Sequence, residues 1–148
     1  MPSIIPSYIY TLFASILVGT IIICTCGIAI LNVRNQAEEQ QLSNIAKDLA
    51  SESTSLISKV GEADGNSSKW IIFPATISGK TYWIQFANDS SKTWIEFGLG
   101  NTIKPSENRI YLPFKIAVSG TFTSNSVQAF LYCQSEYGEL QLTLSGAN

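Results

Sequence analysis

The segment Gly27–Ser51, GIAILNVRNQAEEQQLSNIAKDLAS, changes from apolar to polar composition along its length. Its first residues are as apolar as lipid, and its later residues are polar but keep Leu, Ile and Ala at regular intervals. The polar stretch NVRNQAEEQQ holds no Gly or Pro, so nothing there ends a helix, and the first stop signal is Gly61. We therefore predict one continuous helix from Tyr8 to about Val60. The alternative is a break at Ser53, where SESTS is rich in poor helix formers.

The apolar side of this segment extends back to Tyr8 as an uncharged run that ends at Leu31. A helix rises about 1.5 Å per residue, so roughly 20 residues cross a hydrocarbon core of ~30 Å. Residues 1–33 are therefore predicted to form a membrane anchor. A cleaved signal peptide is the alternative, but the start MPSIIPS carries no basic residue and the apolar run is too long for one. The predicted span includes Tyr8, Leu12, Leu17, Ile22 and Leu31.

Residues 34–61 are predicted to be an amphipathic extension of the same helix. Apolar residues recur there at spacings of three and four, which places them on one helix face. Either the downstream domain or neighbouring copies of the helix must cover this face. The packing stripe consists of Leu42, Ile45, Leu49 and Leu56, together with Ala46, Ile57 and Val60, and the opposite side carries Gln40, Ser43 and Lys47.

From residue 69 to residue 148 the pattern changes from helical spacing to alternation. In the run YWIQF, Tyr82, Ile84 and Phe86 alternate with Trp83 and Gln85, which is typical of a half-buried strand. The junctions ISGK and NDSSK predict hairpin turns. We expect about six strands, mostly joined in sequence, in an antiparallel sheet that either folds into a small sandwich or packs on the amphipathic helix. The fold class is α+β, and Pro113 predicts an edge strand or a bulge.

The composition excludes several classes of chemistry. The chain has no histidine, which removes Ser-His and Cys-His pairs and histidine metal sites. Cys133 alternates with apolar residues and is expected in the core, and no phosphate-binding or dinucleotide-binding motif occurs. The net charge is −2 and there is no basic patch, which argues against nucleic acid. We expect no catalytic residue, cofactor, metal site or small-molecule substrate, and a membrane-bound enzyme is the least favoured hypothesis.

Aromatic residues are dense over three of the predicted strands. On one open face they could stack on sugars or bind a protein. The favoured interpretation is that they supply a small core with large apolar area. The residues concerned are Trp70, Tyr82, Trp83, Phe86, Trp94 and Phe97.

Two N-x-S sequons, at Asn66 and Asn88, lie in predicted turns after the membrane span. They predict an exported, glycosylated domain. We therefore expect a single-pass protein of the cell membrane with its C-terminal domain outside. Arg34, just after the span, would favour the opposite orientation, but Glu38 and Glu39 offset this single charge.

The order of these parts resembles the type IV pilin-like proteins of archaea, which include adhesive pilins, archaellins and stator-like accessory proteins of the archaellum. The resemblance covers the whole chain as architecture. It implies a membrane helix, a β-sandwich outside the membrane, and copies of itself or other pilin-like subunits as partners. The start MPSIIPS lacks the Lys or Arg with Gly or Ala that precedes a prepilin peptidase site, which favours an uncleaved anchor. The alternative function is an anchored surface domain that binds a glycan or protein through exposed aromatics.

Overall fold

The computed structural model describes residues 4–63, 65–104, 107–126, 128–136 and 138–147. The chain divides into two compact units, Met1–Ala37 and Glu38–Asn148. One long N-terminal helix precedes a mostly antiparallel sheet, which confirms the α+β class. Within the described residues the elements are α1 (Ile4–Ala63), β1 (Asn66–Ile72), β2 (Tyr82–Asn88), β3 (Thr93–Leu99), β4 (Arg109–Tyr111), β5 (Ala117–Thr123), β6 (Gln128–Glu136) and β7 (Glu139–Ala147).

The helix α1 is continuous, and the alternative of a break at SESTS is wrong. Ser53 is buried, and the Thr54 hydroxyl donates to the carbonyl four residues earlier at 2.8 Å, so these poor helix formers are held by packing and by the helix itself. The helix also continues through Gly61, beyond the expected end at Val60. Val60 is buried, and such tertiary contacts outweigh the weak helix propensity of the glycine.

The amphipathic part of α1 packs on the chain's own sheet rather than requiring neighbouring helices. Leu42, Leu49 and Leu56 are buried and belong to one hydrophobic core with Ala46, Ile57, Val60 and the apolar residues of the sheet. Ile45 differs from the expectation because it is only partly buried and lies at the margin of the stripe. Ser43 is partly buried as well, whereas Gln40 and Lys47 are exposed.

The sheet contains seven described strands in the order β1-β6-β7-β5-β2-β3-β4, one more than the expected six. It begins at Asn66, slightly before residue 69, and it is a single sheet with one face on the helix rather than a sandwich. Among the described pairs, β5 and β7 are parallel and the others are antiparallel. The last strand is therefore inserted between β5 and β6, which a simple succession of hairpins does not produce.

The NDSSK junction forms the expected hairpin between β2 and β3. The Asp89 carboxylate accepts hydrogen bonds from the backbone amides of Ser91 and Lys92, both at 2.7 Å. These bonds, followed by one from the Ser91 hydroxyl, hold the pKa of Asp89 below its usual value. The ISGK junction is a turn that closes a bridge between Ile77 and Lys80, but it does not join neighbouring strands, because β1 pairs with β6.

The segment around Pro113, IYLPFKIAVSG, contains parts of two strands. Pro113 lies between β4 and β5, outside both. The strand that precedes Pro113, β4, is the last in the sheet order and so lies at an edge, but the expectation of Pro113 within an edge strand or bulge is not met, because the proline follows the strand.

Ion pairs among the described residues join the helix to the sheet domain. Lys69 Nζ donates to Glu52 Oε2, and Lys80 Nζ donates to Glu38 Oε2, both at 2.5 Å. The side chain of Glu38 is only 1% exposed. A buried carboxylate requires a close partner, and Lys80 supplies one.

Candidate membrane anchor and binding surface

The residues of the predicted span lie on the exposed surface of α1. Tyr8, Leu12, Leu17, Ile22 and Leu31 are each at least 47% exposed. By length and composition this helix could cross a membrane, and it is a candidate anchor. Exposed side chains of this kind require lipid or other apolar helices around them.

Hydroxyl side chains in the candidate anchor bond back to the helix. Ser15 Oγ donates to the carbonyl of Leu12, and Thr20 Oγ1 to that of Ile16, both at 2.8 Å, and Thr25 Oγ1 bonds the carbonyl of Ile21 at 2.9 Å. A polar group in hydrocarbon is costly without a partner. These hydroxyls are therefore compatible with a lipid environment.

The two sequons lie at strand ends rather than in turns. Asn66 begins β1 opposite Gln134, and Asn88 ends β2 opposite Thr93. Both asparagine side chains are exposed. Their exposure meets the steric requirement for an attached glycan, and their use stays a prediction.

Most of the aromatics singled out from the sequence are buried. Tyr82, Phe86 and Phe97 belong to the core between sheet and helix. Trp83 and Trp94 point to the opposite face, where both are nevertheless at most 9% exposed. Tyr82, Phe86 and Phe97 therefore supply the core, as expected. Trp83 and Trp94 are buried on the other face of the sheet.

The burial of Trp94 comes from a cluster at the β3–β4 edge. The indole Nε1 of Trp94 donates to Glu96 Oε1 at 2.8 Å, and Arg109 Nε lies 3.0 Å from the same oxygen. The Arg109 guanidinium also stands 4.9 Å from the centre of the Trp94 ring. The side chains of Trp94, Glu96 and Arg109 are hydrogen-bond and charge partners of one another. Few of their polar atoms are therefore left for a ligand.

An aromatic row lies at the other edge of the sheet, formed by the exposed Trp70 and the partly exposed Phe130 and Tyr132. Trp70 and Phe130 are opposite each other in β1 and β6, with ring centroids 4.8 Å apart. Phe130 and Tyr132 are stacked with centroids 6.2 Å apart and an angle of 14° between planes. Trp70 is 57% exposed. The row therefore presents ring surface to solvent.

Sequence reasoning identified Trp70 but missed Phe130 and Tyr132. The signal was present in SVQAFLYC, because Ala129, Leu131 and Cys133 are buried and the residues between them must point the other way. Alternation does not predict the pairing of β6 with β1, which places Trp70 beside Phe130.

Cys133 and the described acidic side chains were the remaining candidates for chemistry. Cys133 is fully buried, and burial raises the pKa of its thiol. Among the described residues, no group of three or more His, Cys, Asp or Glu side chains is placed to hold a metal ion.

Cys133 should resist alkylation in the folded protein. We expect a Cys24→Ser/Cys26→Ser variant to react with N-ethylmaleimide at pH 8 only after denaturation in urea, because the thiolate is the nucleophile and burial keeps the thiol protonated. Labelling is measured by mass spectrometry of the whole chain in detergent. Equal rates with and without urea would contradict the buried position.

Comparisons of the chain with protein-family models, with curated proteins and with solved structures find no match. The geometry of the chain itself therefore carries the functional proposal.

Proposed function

We propose that this protein is a single-pass, membrane-anchored, pilin-like structural or accessory protein of a pilus-type or archaellum-type system, with its β domain outside the cell. The observation that carries the proposal is the composition of α1. Its first part is apolar and exposed, and its last part forms the core of the β domain. A membrane anchor that continues into the core helix of a sheet domain is the architecture expected of such subunits.

The proposed partners are the membrane and copies of the same chain or other pilin-like subunits. Because the chain's own sheet covers the stripe at Leu42, Leu49 and Leu56, this stripe is not free to pack on a second helix. Contacts between subunits through α1 would then use the apolar run before Val33. Gly19 and Gly27 in this run have no neighbouring atom within 4 Å of an added Cβ, and small residues allow helices in lipid to approach closely.

The orientation is tested by labelling a single exposed cysteine. Lys115 is exposed in the loop between β4 and β5, and in a Cys24→Ser/Cys26→Ser background the Lys115→Cys thiol would be the accessible one, since Cys133 is buried. We expect a membrane-impermeant maleimide to label this variant in intact cells as fully as in permeabilised cells. The control is the Cys24→Ser/Cys26→Ser variant that keeps Lys115. Labelling that requires permeabilisation would place the domain inside, and release of the protein by high salt without detergent would exclude the anchor.

A further inference from the structure

The sheet has a second face, opposite the helix, that is open over β1, β6, β7 and β5. We call it the open face, and it carries the aromatic row of Trp70, Phe130 and Tyr132. Beside the row, Gln134 Nε2 donates to Gln141 Oε1 at 3.2 Å. One strand further, the hydroxyls of Ser119 and Thr143 lie 3.4 Å apart. The open face therefore combines exposed rings with a ladder of amides and hydroxyls on adjacent strands.

The open face is uncharged around the row. From the level of Gln134 and Gln141 to the level of Ile72, the described side chains of β1, β6 and β7 on this face carry no charge. Lys69 in β1 points to the opposite face, where it pairs with Glu52. Glu139 lies beyond this area, at the β6–β7 turn.

We propose that the open face binds a neutral glycan chain. Pyranose rings expose C–H groups on their faces and hydroxyls at their edges. Aromatic rings such as Trp70 and Phe130 offer apolar area and a negative face for these C–H groups. The amides of Gln134 and Gln141 and the nearby hydroxyls both donate and accept hydrogen bonds, as sugar hydroxyls do. A neutral ligand suits a face that offers no ion pair.

The same features disfavour other occupants. Single-stranded nucleic acid also stacks on aromatics, but it needs cations along its backbone, and the described part of this area has none. A membrane surface would require Lys or Arg near the rings. The core of a protein–protein interface is depleted in Ser, whereas this face is mostly Ser, Thr and Gln around three rings. The inference goes beyond the proposed function and is independent of whether the protein assembles.

The test is isothermal titration of the full chain with four neutral probes, namely cellohexaose, maltohexaose, chitohexaose and mannohexaose. The protein is kept in lauryldimethylamine oxide, because detergents with sugar headgroups would compete. We expect at least one probe to bind at millimolar concentration or below and to change tryptophan emission, since Trp70 is exposed and Trp83 and Trp94 are buried. Trp70→Ala should weaken binding by roughly three- to tenfold, the range expected for one aromatic contact.

The matched control is Tyr111→Ala, which removes an aromatic of similar exposure, 54%, from the far edge strand β4. It should leave binding unchanged. Unchanged far-ultraviolet circular dichroism shows that both variants are folded; tryptophan emission cannot show this for Tyr111→Ala, because Tyr111 contacts Trp94. The proposal is overturned if no probe binds at millimolar concentration, if Trp70→Ala and Tyr111→Ala have the same effect, or if heparin binds as tightly as the best neutral probe. None of these results alters the orientation measured by Lys115→Cys.

Discussion

Gly120→Ala is expected to unfold the β domain. Gly120 has φ +108°, and a Cβ built on it would lie 1.9 Å from the carbonyl oxygen of Leu144. Gly120 and Leu144 are partners in the parallel pair of β5 and β7, so both clashing groups belong to backbone held in the sheet. No rotamer change can relieve this clash. Separating the two strands would disrupt the centre of the sheet, and we expect a loss of about 4 kcal/mol or more, comparable with the whole stability of many small domains.

The control for this substitution is Gly100→Ala. Gly100 has φ +101°, close to that of Gly120, but an added Cβ there has no atom within 4 Å. It should cost only the left-handed backbone strain of roughly 1 to 2 kcal/mol. Urea denaturation of the full chain in detergent, followed by tryptophan emission, measures both variants. Equal losses would show that the parallel strands do not approach as the structure describes.

Leu49→Asp is expected to cost about 4 kcal/mol or more. Leu49 is 1% exposed in the core between α1 and the sheet. Truncating a buried leucine to alanine already costs roughly 2 to 5 kcal/mol, and a carboxylate would in addition be buried without a partner. The loss should be independent of protein concentration, because the stripe is covered by the same chain.

Asn44→Asp is the matched control on the same helix. It introduces the same negative charge on an exposed residue, and the new carboxylate can still accept the hydrogen bond that Gln40 Nε2 donates at 3.1 Å. Its effect should stay within about 0.5 kcal/mol. If Leu49→Asp and Asn44→Asp unfolded at the same urea concentration, the stripe would not be covered by the sheet. A loss that appeared only at high protein concentration would instead indicate contact between copies.

The features that depend on near neighbours in the chain were predicted correctly. The continuous helix followed from the absence of Gly and Pro in NVRNQAEEQQ, and the β2–β3 hairpin followed from the turn residues around Asp89. Burial of Cys133 followed from alternation alone. In each case helical or strand geometry relates residues only a few positions apart, so the pattern contains the answer.

The candidate binding surface could not be predicted from sequence patterns alone. The aromatics chosen by local density were mainly core residues or members of the Trp94–Arg109 cluster. The aromatic row forms only because β1 lies beside β6. These strands are distant in sequence, and such strands pair according to which faces are buried together. Ile45 illustrates the same limit within the helix, because its spacing fits the stripe but the sheet covers the side of Ala46 more fully.

By itself, the sequence determined an apolar helix long enough to span a membrane, its amphipathic continuation and an α+β class, because charge and hydrophobic period are properties of consecutive residues. Only the tertiary structure decided the strand order, the parallel pairing of β5 with β7, the burial of Glu38 against Lys80 and the aromatic row. The physical reason is that loop closure costs little more for a distant partner than for a near one. Many pairings are therefore open to the same strands, and the choice among them falls to the packing of the whole core.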